Sequence, residues 1–106
     1  MTTWVHGTQE RYRAKVSFER AGRYVDLSSD PVEMAFVAVG DVLSDGDFAD
    51  AEWEVNDQID PPDYIAVGDI TSLAEGDWDI YVRVTDDPEI PIKLVDDVLT
   101  LTPGLP

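Results

Sequence analysis

The chain has 106 residues, 43% of them hydrophobic, which is enough for one domain with one modest core and is not a disordered composition. Twenty-three acids, sixteen of them Asp, face seven cations for a net charge of −16, so the body should repel phosphate and no direct nucleic-acid binding is expected. The absence of cysteine excludes disulfides, thiol chemistry and Cys-built zinc sites, and no apolar run approaches the roughly 20 residues of a membrane helix, so no membrane contact is expected.

No helix-period stretch stands out; short alternating segments are punctuated by Gly, Pro and Asp. Residues 1–10 read as an N-terminal arm. In Tyr12–Phe18, Ala14, Val16 and Phe18 share one side and Arg13, Lys15 and Ser17 the other. Glu19–Arg23 turns the chain, Tyr24–Leu27 is extended, and Ser28–Pro31 is a break. Val32–Val39 reads as a central strand, with Met34, Phe36 and Ala38 inward and Ala35, Val37 and Val39 against a second covered surface. Ala51–Val55 alternates around Trp53, and Tyr64–Val67 is a short strand beyond Pro61-Pro62. In the segment Leu73–Val84, Trp78, Ile80, Val82 and Val84 share a face. Asp86–Pro91 is a loop stiffened by two prolines. Val98–Leu101 is the last strand, and 102–106 is a C-terminal tail.

About seven short strands at spacings of about 10 residues predict one all-β domain over residues 11–101, either a β-sandwich or a small β-barrel. The expected core is Val16, Phe18, Met34, Phe36, Trp53, Ile65, Val67, Trp78, Ile80, Val82, Val84, Leu99 and Leu101.

Candidate chemistry is sparse. The only histidine, His6, lies in a Gly- and Thr-rich N-terminal arm, so no serine has a rigidly held histidine as its base, and no catalytic residue is assigned. Acid pairs such as Asp86-Asp87 and Asp96-Asp97 follow from the sheer number of acids. Asp41, Asp45, Asp47 and Asp50 crowd one loop region with donors suited to Ca²⁺ or Mg²⁺. Asp45-Gly46-Asp47 departs from the D-x-[DN]-x-[DN]-G spacing, so a diffuse cation atmosphere is expected, and no metal or cofactor is assigned.

The sharper feature is the charge distribution. Residues 1–23 carry five cations against Glu10 and Glu19, a net of +3, while residues 24–106 carry a net of −19. On a strand, Arg11, Arg13 and Lys15 would share one face, either offsetting acids of the same domain or docking on an acidic neighbour. Trp4 and Val5 ahead of them are the expected interface anchors, with Trp4 folding back onto its own core as the alternative.

Leu73-x-x-Gly76-x-Trp78-x-Ile80-x-Val82-x-Val84 resembles the corner entering strand F of immunoglobulin-like sandwiches, where an aromatic after a Gly-containing turn pins the two sheets. In that family the aromatic is usually Tyr; Trp78 stands there in this chain, and the packing role is what carries over. Ser29-Asp-Pro-Val-Glu-Met-Ala-Phe-Val-Ala-Val39 and Gly76-Asp-Trp-Asp-Ile-Tyr-Val-Arg-Val-Thr-Asp-Asp-Pro-Glu-Ile-Pro-Ile92 together cover about a quarter of the chain. They are similar to stretches of small structural proteins from the head and head–tail regions of tailed viruses that infect actinobacteria and haloarchaea. The resemblance implies a non-enzymatic virion component, oligomeric in the particle, contacting capsid, portal, neck or tail subunits. The head–tail neck is favoured, with capsid decoration as the alternative. An acidic DNA-mimic inhibitor is a reading from a different class.

Asp-rich, Lys-poor composition also resembles that of proteins from salt-loving organisms. Self-repulsion at −16 opposes the compact state, and salt shortens its reach from about 10 Å at 0.1 M to about 3 Å at 1 M. The thermal midpoint is therefore expected to climb steeply between about 0.1 M and about 2 M KCl. A flat profile would overturn the halophilic reading.

Overall fold

A computed structural model describes residues 1–17, 19–20, 23–24, 27, 29–56, 58–59, 62–85 and 90–103, with backbone alone at 19–20 and 23–24. The strands in chain order are β1 (Thr2–Val5), β2 (Arg11–Val16), β3 (Glu19–Arg20), β4 (Arg23–Tyr24), β5 (Val32–Ala38), β6 (Phe48–Asp50), β7 (Glu52–Asn56), β8 (Asp63–Asp69), β9 (Gly76–Val84) and β10 (Ile92–Thr102). A single 3₁₀ turn, Asp45–Asp47, precedes β6.

Two sheets carry the fold, a five-stranded one in the order β1-β10-β9-β5-β6 and a three-stranded one in the order β2-β8-β7. β3 and β4 form a small separate hairpin. Pairing is antiparallel throughout except between β1 and β10. With β2, β8 and β7 as strands B, E and D, and β6, β5, β9 and β10 as C′, C, F and G, this is the strand order of an immunoglobulin-like sandwich. The barrel alternative falls away because the sheets stay separate, each with its own edges.

The core lies between the sheets and follows period-two alternation. β2 buries Tyr12, Ala14 and Val16 and exposes Arg11, Arg13 and Lys15. β9 buries Ile80, Val82 and Val84 completely. β5 lies inside its sheet, with Met34 and Phe36 packed in the core. Ala35 and Val37 are buried on the other face, as the sequence predicts, but Val39, expected with them, lies beyond the end of β5 and is exposed. At the corner entering β9, the Trp78 indole N–H donates to the Ala74 carbonyl at 3.1 Å. A backbone hydrogen bond is therefore made at this corner by Trp in place of Tyr.

Several expectations are corrected. Ile65 and Val67 sit on the outer face of β8, Val67 buried there as predicted and Ile65 only partly so, while Tyr64, Ala66 and Gly68 face the core between the sheets. Both faces of Tyr-Ile-Ala-Val-Gly are apolar, so alternation leaves the phase open. Close approach of the opposite sheet favours the observed one: a Cβ on Gly68 would lie 2.8 Å from Met34 Sδ, so any side chain there would have to push the Met34 thioether aside. Phe36, Trp53 and Trp78 pack against the core while only partly buried. The last strand runs eleven residues instead of four and takes in Thr102 from the expected tail. Phe18, and residues 86–89 of the proline loop, lie outside the described residues.

The expected arm is in part a strand. Thr2–Val5 pairs with Leu99–Thr102, and Trp4 turns inward. Its ring lies 5.9 Å from Tyr12, which is 6.1 Å from Phe36 in an edge-to-face contact. This aromatic row crosses from one sheet to the other and back. Trp4→Ala is therefore expected to cost about 2–4 kcal/mol, read as a lower denaturant midpoint at fixed salt. Unchanged stability would return Trp4 to a free arm.

Candidate interaction surfaces

The alternation of β2 does bring Arg11, Arg13 and Lys15 to one outer face, at the edge of the smaller sheet. They are met there by acids of the same domain. Arg13 Nε bonds both Glu54 oxygens at 2.9 and 3.0 Å, Lys15 Nζ lies 2.9 Å from Asp63, and Arg11 lies 3.9 Å from Glu52. The Arg pairs reach across β8 and flank Ile65 and Val67, the residues that the phase of β8 turns outward. The cations thus offset their own domain's acids. Pairs this exposed contribute at most about 1 kcal/mol each.

Trp4 and Val5 do not join this strip. Trp4 faces the core, and Val5, 37% exposed, lies on the outer face of the larger sheet. The sequence-predicted interface residues are therefore split between two opposite faces of the sandwich.

On the larger sheet, Arg83 is the organising cation. Its guanidinium is bidentate to Glu33, at 3.0 and 3.1 Å, and also pairs with Asp45; its Cζ stands 4.1 Å from the Phe48 ring centroid. The hydrogen bond to Glu33, followed by that to Asp45, raises the Arg83 pKa above its ordinary value. Asp47 turns elsewhere, accepting from the Ser44 N–H and hydroxyl at 2.8 and 3.0 Å. The loop acids considered as ion ligands thus point to different partners. Among the described residues, no group of three or more His, Asp or Glu could hold a metal.

Two cavities lined by described residues are small and open. One of about 130 Å³ lies between Met34, Phe36 and Leu73, with Asp47, Asp50 and Asp69 around it. Another, of about 220 Å³, lies beside His6 and Ile70. Both fall below the roughly 300–1,000 Å³ of common ligand pockets. His6 meets the Leu73 carbonyl at 2.8 Å, so it ties the end of β1 to the turn before β9.

The surface that sequence reasoning missed is aliphatic. Ile90, Ile92 and Leu94 are 56%, 50% and 55% exposed, in an alternating row leading into and along the start of β10, with Tyr81 opposite Leu94. The signal was present in Ile-Pro-Ile-Lys-Leu, but Pro91 made the segment read as loop.

A bulge ends this row. The register of β10 shifts between Leu94 and Val98, and Asp97 beyond it accepts from the Thr2 hydroxyl at 2.6 Å and from Tyr12 of the opposite sheet at 2.5 Å. The Met1 nitrogen lies 3.0 Å away. Burial opposes ionisation of Asp97, but the Thr2 and Tyr12 hydrogen bonds and the ammonium outweigh it and hold the carboxyl down at about 2. Burial, then the Asp97 hydrogen bond and charge, push the Tyr12 phenol above its ordinary value.

Because the folded value of Asp97 is depressed, its contribution is complete above the ordinary Asp value of 3.8 and is lost as pH falls toward about 2. Protonation of the other acids relieves repulsion over the same range, so the readout is a difference between proteins. Asp97→Asn is expected to cost about 1–2 kcal/mol at neutral pH. The gap from the parent protein should close between about pH 4 and pH 2; a pH-independent gap would place the effect outside the ionised carboxylate.

No family model, curated protein or solved structure matches the chain.

Proposed function

We propose that the domain is a non-enzymatic structural component of a tailed-virus particle, seated in the head–tail connecting region and working through contacts with neighbouring subunits. One observation carries the reading. The two segments that resemble tailed-virus head and head–tail proteins fold as β5 and β9, hydrogen-bonded neighbours in register from Val32↔Val84 to Ala38↔Trp78. Two stretches more than thirty residues apart in sequence thus make one continuous piece of sheet, pinned across its outer face by Glu33 and Arg83.

Two further features support a mechanical role. The exposed aliphatic row at the start of β10 offers apolar area of the kind that marks interaction sites. The acids that a DNA mimic would need in a free array are in part engaged with cations of the same domain, at Glu33, Asp45, Glu52, Glu54 and Asp63.

Antibody labelling of purified particles tests the reading. The expected result is the chain present in fixed copy number, with label at the neck. Label over the head surface would replace the neck by capsid decoration, and absence from washed particles would overturn the virion role.

A further inference from the structure

β10 is flanked unequally along its length. On one side β9 pairs with Ile92–Leu94 and again with Val98–Leu101. On the other side β1 covers only Leu99–Thr102. Among the described residues no strand lies beside Ile92–Leu94 on that second side.

The direction of the backbone groups there follows from one hydrogen bond. Val84 N–H donates to the Pro91 carbonyl at 3.1 Å, so Pro91 turns toward β9. In an antiparallel ladder successive residues alternate, so Lys93 also faces β9, while Ile92 and Leu94 direct their N–H and C=O away from it. These are the groups an added strand would use. The side chains of Ile92 and Leu94 share the outer face of the sheet and are half exposed, in line with Ile90 and beside Tyr81.

The open segment is bounded at its far end. Beyond Leu94 the bulge breaks the ladder before β1 takes over. Bulges are among the devices that keep sheet edges from unlimited pairing. Here the bulge confines an otherwise apolar edge to a short slot. On a surface this rich in carboxylates, a run of three outward aliphatics is the exception.

Charge selects the occupant. A second copy would bring another −16 against the first. Exposed Asp96 flanks the slot, and Asp77 and Asp79 lie on the same face further along β9; Arg83, opposite Ile92, is already engaged by Glu33 and Asp45, and Lys93 alternates to the other face. We propose that the edge at Ile92–Leu94 accepts a short extended segment of a different, basic protein as an added strand. Main-chain bonds form at Ile92 and Leu94, apolar side chains of the segment cover Ile90, Ile92, Leu94 and Tyr81, and its Lys or Arg residues meet the surrounding carboxylates. The strand edge and the charge carry this on their own, whether or not the domain sits in a virion.

Amide hydrogen exchange on the isotope-labelled full chain tests it, at the lowest salt in which the chain is folded. The probes are a short synthetic peptide alternating Lys and Val, and a control alternating Glu and Val. The Lys–Val peptide is expected to slow exchange at Ile92 and Leu94 by about tenfold or more, and the control to leave both unchanged. Leu94→Pro, which removes an edge donor that β9 does not use, should abolish the slowing at Ile92. Ile92→Lys, which keeps every backbone group but removes an aliphatic and adds a cation, should weaken it by about tenfold.

Failure of the Lys–Val peptide to slow these two amides overturns the proposal, as does equal slowing by the Glu–Val control. Protection of both amides without peptide, in step with dimer formation, would make a second copy the occupant and overturn it too. None of these results bears on whether the chain is found in particles.

Discussion

Repulsion among 23 carboxylates must be offset by the apolar seam between two small sheets, and most of the architecture follows from that constraint. The seam is well filled. Ile80, Val82, Val84 and Leu99 are fully buried, and each such side chain contributes about 1.5–3 kcal/mol. Filling it requires the sheets to approach until Met34 meets the backbone of Gly68, and that approach favours the face of β8 that looks inward. No described charged residue is fully buried, so the core is not asked to meet the desolvation cost of an ion.

The few cations are placed where they relieve most strain. Four of the seven lie on outer strand faces, within reach of acids on neighbouring elements. Arg83 serves two carboxylates and an aromatic ring at once, which suits a planar fork better than a Lys point charge. Asp97 works in the opposite sense. The bulge turns one carboxylate inward, where the Tyr12 hydroxyl clips it to the opposite sheet. The same irregularity stops the ladder short of β1, so the device that joins the sheets also leaves the edge at Ile92–Leu94 open.

Two outer faces therefore have different characters. The small sheet carries a lattice of compensated charges over Ile65 and Val67, saturated by its own partners. The large sheet carries the exposed row from Ile90 to Leu94 beside an unpaired edge. The second is the surface with unmet bonding capacity.

Much of this was legible in the sequence. Alternation in Tyr12–Val16, Val32–Ala38 and Trp78–Val84 assigned side chains to faces correctly, because the pleat is a local property of each strand. The Gly76–Trp78 corner pointed to the sandwich through its resemblance to immunoglobulin-like domains, since alternation alone left sandwich and barrel open. What stayed hidden was whatever depends on the element opposite. Tyr64–Gly68 offers two apolar phases, and the neighbouring Met34 favours one. Trp4 reads as a free anchor or as part of its own core until β10 is seen beside it. Arg11, Arg13 and Lys15 read equally as a docking strip or as partners of the domain's own acids until Glu52, Glu54 and Asp63 arrive from strands far along the chain. The sequence by itself determined the sheet class and the residues that share a face. Only the tertiary structure decided which faces meet, which charges are already paired and which edge remains open, because a period of two records alternation along one strand and carries no information about what lies across from it.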